Sequence, residues 1–262
     1  MTTPTLDLLF VSVFGLVVGS YLNVVVYRLP RGRSTVAGRS GCPFCGSLIR
    51  WWNNLPLLSF LWLKGRCRDC RSPIFWRYPL LELLTALGFA LSYRSFGPGW
   101  AWVLAALFLC ILLLLAFIDL EHLILPDRLT LAGAALGFVL FRWLPWRGSL
   151  VDHLVGAALG PALLLGLYGL WFLIRRAEGL GLGDVKMMIL VGAFLGWRGS
   201  LMTLFLGTLT AMAVALWLMA TGRMGLKNKI PFGPFLSLGA AVALFATGSG
   251  WLDRFLPPLP WG

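Results

Sequence analysis

Apolar runs follow one another along almost the whole chain, near positions 8–27, 79–93, 101–118, 129–141, 154–174, 185–197, 201–221 and 230–247. A helix crossing a bilayer at right angles needs ~20 such residues, so the shorter runs must be completed by flanking polar and aromatic residues. Here 59% of the residues are hydrophobic and 12% charged, where about 45–50% and roughly 25% are usual for a soluble domain. One soluble core cannot hide so much apolar surface. The expectation is an all-α polytopic membrane protein of about eight transmembrane helices, with the lipid bilayer as its solvent. A soluble enzyme, a secreted disulfide scaffold and a disordered chain are excluded.

No Lys or Arg precedes the first run, and positive charge begins at Arg28. A signal peptide has the opposite order, so the run reads as a retained span over 1–27 with its N-terminus outside. Eight spans return the C-terminus to the outside and leave 28–78, 119–128, 175–186 and 221–229 inside. Of the 22 Lys and Arg residues, only Arg94, Arg142, Arg147, Arg198 and Arg254 fall in outside loops, which is a strong inside-positive bias. The net charge of +12 is therefore topology, and no nucleic-acid partner is expected. Only 28–78 is long enough to be a small domain. The chain divides on this reading into a first span (1–27), a cytoplasmic loop domain (28–78) and a seven-helix membrane domain (79–262).

The loop domain contains Cys42-Pro43-Phe44-Cys45 and Cys67-Arg68-Asp69-Cys70, two CxxC pairs with 21 residues between them. This is close to zinc-ribbon spacing, in which each pair gives two thiolates to a tetrahedral ion. A reducing cytosol disfavours disulfides. A structural zinc ion on Cys42, Cys45, Cys67 and Cys70 would supply the core that the loop's composition lacks. Metal-free knuckles or redox-active thiols are the alternatives. Cys110, inside an apolar run, reads as a small hydrophobe.

Most of the ten Asp and Glu residues lie in loops or at interfaces, where solvation accounts for them. Asp119 closes the run 101–118 and Asp184 opens the run 185–197, 65 positions later. Both fall at cytoplasmic ends, so they can meet at one depth. An ionisable group at that boundary is costly and is a functional candidate by default. The bland alternative is an interfacial carboxylate paired with Arg128 or Lys186. Two carboxylates held close share one proton. Such a pair can activate a water with one member while the other protonates or polarises a carbonyl, which is aspartic-protease chemistry. Gly181 and Gly183, just before Asp184, allow close approach of a peptide backbone, although glycines in membrane helices also serve packing. His122 and His153 form no HExxH and no GxSxG is present, which removes a zincin and a serine hydrolase. Glu121, Asp127 and Glu178 read as solvated loop carboxylates. A proton-coupled transporter would carry its carboxylates near the midplane. A general intramembrane aspartyl protease would leave the CxxC loop unexplained.

Several segments together resemble one known family. They are Gly19-Ser20-Tyr21-Leu22-Asn23, the two CxxC pairs, Arg77-Tyr78-Pro79-Leu80-Leu81-Glu82, Phe117-Ile118-Asp119-Leu120-Glu121-His122, Gly181-Leu182-Gly183-Asp184 and Ile230-Pro231-Phe232-Gly233-Pro234-Phe235. The chain resembles the bacterial type IV prepilin peptidases, or leader peptidase/N-methyltransferases, over nearly its whole length. The resemblance implies an enzyme of the bacterial cytoplasmic membrane with its active site facing the cytoplasm. It implies cleavage of a basic leader after Gly in type IV prepilins or type II secretion pseudopilins, then methylation of the new N-terminal residue, usually Phe, from S-adenosylmethionine. It also implies Asp119 and Asp184 as the catalytic pair, in agreement with the dyad argument. No GxGxxG in a βαβ setting is present, so S-adenosylmethionine rests on the resemblance alone. Glu82 and Asn23, with the cysteine loop, are the candidates for the methyl-transfer site. An interfacial Glu82 bonded to Arg77 is the alternative.

Overall fold

In the computed structural model the described residues are 4–144, 148–175, 181–223 and 230–249. Arg147, Glu178 and Arg254, and parts of the inside loops 175–186 and 221–229, lie outside the described residues. The apolar runs are helices: α1 (Pro4–Arg28), α3 (Arg77–Phe96), α4 (Trp100–His122), α5 (Asp127–Leu140), α6 (Leu150–Arg175), α7 (Leu182–Ala220) and α8 (Gly233–Gly248), with a short α2 (Leu58–Trp62) in the loop. Among the described residues there are two isolated β-bridges and no strand. Four helical segments, Thr5–Arg31, Trp100–His122, Leu150–Ile174 and Leu182–Ala220, are by themselves long and apolar enough to cross a membrane.

The sequence separates 185–197 from 201–221 as two spans, yet both lie in α7. At 1.5 Å per residue its 39 residues would extend about 58 Å, nearly twice the ~30 Å hydrocarbon core. Gly196, at φ 68° and ψ −173°, breaks it into two helices. Only a residue without Cβ adopts that conformation readily. Arg198, assigned to an outside loop by sequence, is instead buried just beyond the break. With α7 counted as two, α1 and α3–α8 give eight helices.

The chain forms two compact units, Met1–Pro98 and Gly99–Gly262. In the first, α1 packs on α3. A Cβ on Gly15 would stand 2.7 Å from Ala86 Cα, and one on Gly19 2.7 Å from Glu82 Cα. Glycines four apart thus let two backbones approach, which is how helices gain contact in lipid without a hydrophobic driving force. The crossing buries Asn23 and Glu82 toward the loop-joined ends of the two helices.

In the second unit α5, α6 and α8 pack on α7, and α4 packs on α8. The same device recurs. Gly133 and Gly137 of α5 face Leu190, Ala193 and Phe194. On α6, Gly156 faces Gly192 and Gly196 so closely that a Cβ on Gly156 or Gly192 would overlap the other helix's backbone. Phe108 of α4 stacks on Phe194 with ring centroids 4.6 Å apart.

Candidate active site

Asp119 lies in the last turn of α4, which ends where Leu123, at φ 53°, donates its N–H to the Asp119 carbonyl at 2.9 Å. Asp184 lies in the first turn of α7. The two side chains are 6% and 8% exposed, and near enough for the charge of one to act on the other. Gly183 helps bring them together: a Cβ there would lie 3.0 Å from Leu125 Cβ, so the link after α4 packs directly on the start of α7. Gly181 faces Asp184 Oδ2, where a Cβ would lie at 3.3 Å, so no side chain presses on that oxygen from this position. Lys186 pairs with Asp127 at 2.7 Å rather than with Asp184, as the bland reading had it.

Each aspartate meets a helix N-terminus. Asp184 faces the Gly181 amide at the head of α7. Asp119 Oδ2 accepts the N–H of Gly233, the first residue of α8, at 2.8 Å. Free amides and the helix dipole both favour an anion there. Sequence reasoning missed this role of Gly233. Gly233-Pro234 reads as a helix start, but only the fold discloses which acid it faces.

The four predicted thiols come together in the first unit, with all sulfurs within 4.8 Å of one another. Both pairs follow a Cys-x-x-Cys-x-Ser pattern and fold alike. Cys42 N–H donates to the Ser47 carbonyl and Gly46 N–H to Cys42; Cys67 N–H donates to Ser72 and Arg71 N–H to Cys67. Gly46 (φ 72°) and Arg71 (φ 61°) occupy the same left-handed position. Cys42 and Cys70 sulfurs are 3.8 Å apart, the separation that four Zn–S bonds of about 2.3 Å give in a tetrahedron. Burial pushes the Cys42 thiol up, but amide hydrogen bonds from Cys45 and Phe44 outweigh it and bring it down to about 6. Cys67 is pulled down by the Cys70 and Asp69 amides, yet burial and its Cys42 and Cys70 neighbours push it up to about 11. A set of thiols that resists full ionisation until a cation arrives is suited to a metal ion. Cys110 is buried in α4.

Asn23 and Glu82 line a cavity of about 840 Å³ in this unit, together with loop residues that include Cys42 and Cys67. Glu82 Oε2 accepts the Leu57 N–H at 2.8 Å, and the Ser20 hydroxyl also reaches this carboxylate. Asn23 Nδ2 donates to the Gly19 and Tyr78 carbonyls at 3.3 and 3.1 Å. The volume is that of a small-molecule site.

Residues 13–96 match the bacterial peptidase A24 N-terminal domain, and residues 106–216 match the type IV leader peptidase family. The chain is 38% identical to the prepilin leader peptidase/N-methyltransferase of Aeromonas hydrophila, over 92% of this chain and 91% of that protein. It is 39% identical to that of Burkholderia pseudomallei (strain 1026b), over 92% and 86%. It is 44% identical to that of Myxococcus xanthus (strain DK1622), over 84% and 66%. No solved structure matches the chain. The matched ranges take in the cysteine knuckles and cavity of one unit and both aspartates of the other, and by them the chain belongs to the type IV leader peptidase family.

Proposed function

We propose that this protein is a membrane aspartic endopeptidase that removes the leader of type IV prepilins or type II secretion pseudopilins and then N-methylates the new terminus. The observation that carries cleavage is that Asp119 and Asp184 are both buried, within range of each other's charge, and each at a helix N-terminus. One carboxylate takes a proton from a water, which attacks the carbonyl of the leader's final Gly, while the protonated partner donates to that oxygen; as the C–N bond breaks, the first carboxyl gives its proton to the leaving nitrogen and the second takes one back from the diol. Gly181 leaves space for the substrate backbone, whereas the space beside Gly183 is taken by Leu125. A transporter or a general helix-cutting protease has no use for the CxxC loop and is not favoured.

The thiol cluster of Cys42, Cys45, Cys67 and Cys70 supports a structural zinc ion, by sulfur separation and thiolate chemistry. S-adenosylmethionine, when bound, supplies an electrophilic methyl group, and the cavity of Asn23 and Glu82 is the proposed site for it. We assign the protein to the bacterial cytoplasmic membrane with both termini outside and the aspartates facing the cytoplasm. The proposed divisions are the first span (1–27), the cytoplasmic loop domain (28–78) and the seven-helix domain (79–262) that carries the dyad.

The test is purified protein with a prepilin, with and without S-adenosylmethionine, read by mass spectrometry for leader loss and methyl gain. Asp119→Asn and Asp184→Asn should each lose at least ~100-fold in cleavage, since acid–base pairs act as a unit. Normal cleavage by either variant would falsify the dyad.

A further inference from the structure

We propose that Glu82 and Asn23 receive the free α-ammonium of the cleaved protein, and that Glu82 takes the proton that must leave before methyl transfer. The inference rests on the methyl-transfer site proposed above and gives its residues their roles. The amide of Asn23 cannot be turned round. Its Nδ2 is held by two carbonyls, which only accept hydrogen bonds, and a reversed amide would aim oxygen at oxygen. Oδ1 is therefore a fixed acceptor, buried and without a partner among the described residues. An orphan acceptor of this kind in a native fold asks for a donor that arrives from elsewhere.

Glu82 lines the same cavity with capacity to spare, since a carboxylate offers about four acceptor sites and the Leu57 amide and Ser20 hydroxyl use two. Leu57 sits at φ 57° and ψ −45°, a conformation that is strained for a leucine. The loop bears that strain with its amide fixed on Glu82. The other charged groups around the cavity are Arg28 on α1 and Arg33, Arg39, Arg50, Arg68 and Asp69 of the loop. Arg28 is occupied by the carbonyls of Ser34, Ala37, Gly38 and Arg39. Beside so much arginine, the acidic wall is the part of the cavity that favours a positive charge. A group with several N–H donors and one positive charge, a primary ammonium, fits the pair Asn23 and Glu82.

The chemistry balances. The ammonium passes one proton to ionised Glu82 and becomes a neutral amine. Its lone pair forms the bond to the methyl carbon, the electrons of the broken C–S bond stay on sulfur, and the nitrogen ends as a methylated ammonium. The proton on Glu82 then leaves to solvent.

Full-length protein in nanodiscs is given a pre-cut peptide beginning with Phe, so that methylation is read without cleavage. Glu82→Gln should methylate at least ~100-fold more slowly at neutral pH. It should bind S-adenosylmethionine within about threefold of the parent, under 1 kcal/mol. Its deficit should shrink roughly tenfold per pH unit up to about pH 8, where the free α-amine forms unaided. Without the methyl donor, the parent should favour this peptide over its N-acetylated form by about tenfold or more, and Glu82→Gln and Asn23→Ala should both lose that preference. A normal rate in Glu82→Gln, or a loss of donor affinity equal to the loss of rate, overturns the role. The site is read separately: ultraviolet crosslinking of S-adenosylmethionine to no residue within 20–82 overturns the cavity, whatever the variants do. If Glu82→Gln also stops cleaving prepilin, the peptide preference of Asn23→Ala decides the role.

Discussion

A hydrogen on the Gly233 α-carbon takes the space where any other residue would press on Asp119, since a methyl there would lie 2.8 Å from Oδ2. Gly233→Ala should therefore displace the carboxylate by a fraction of an ångström and slow prepilin cleavage by about 10- to 100-fold. Methylation of a pre-cut peptide should stay near the parent rate, measured in parallel by mass spectrometry. Equal loss of both activities would mean general unfolding instead. The two acids were legible in sequence because charge at the end of an apolar run is expensive wherever it occurs. Gly233 was not, because its meaning depends on a partner 114 positions away. The same holds for Asn23, whose orphan oxygen exists only once Gly19 and Tyr78 have taken its NH₂ group.

Helices in this protein meet through glycines spaced by four: Gly15 and Gly19, Gly133 and Gly137, Gly156 and Gly160, Gly192 and Gly196. Apolar runs announced the helices, but a glycine that packs and one that merely occurs look alike in sequence. Gly166 and Gly169 of α6 have open space around them. The contrast makes a matched experiment. Gly192→Ala puts a methyl onto the backbone of Gly156 and should destabilise the bundle by about 1–3 kcal/mol or more. Gly166→Ala should be neutral or slightly favourable, because alanine fixes a helix better than glycine by roughly 0.5–1 kcal/mol. Unfolding in mixed micelles by added denaturing detergent measures both. The boundary within α7 was legible from the two apolar runs, but its form was not, since Gly196 turns the chain within one continuous element. Its φ of 68° is a property of the fold that composition does not carry.

At the scale of the molecule, metal removal should separate the two activities. The dyad uses no thiolate, so a chelator that strips the loop should leave prepilin cleavage running at first while methylation falls, as timed sampling by mass spectrometry would register. Metal analysis should find about one zinc per chain; a reduced, folded sample without zinc would sink the assignment. Proton competition has a definite sign. Cys67, at about 11 without metal, must surrender a proton when metal binds at neutral pH, and Cys42 must do so as well below about 6. Zinc is therefore held more tightly as pH rises and is released as it falls, which a chromogenic chelator would follow from about pH 8 down to about pH 5.5. The thiol cluster was legible as a candidate metal site because two knuckles at ribbon spacing suggest one, while the cavity beside it, assembled from α1, α3 and the loop, has no linear signature. The glycine crossings carry one more consequence. Closing a helix pair inside lipid withdraws no apolar surface from water, so the hydration heat capacity that weakens soluble cores on cooling is absent. The α1–α3 and α6–α7 contacts should keep nearly constant strength from the cold up to growth temperature, leaving the water-facing loop to set the thermal response.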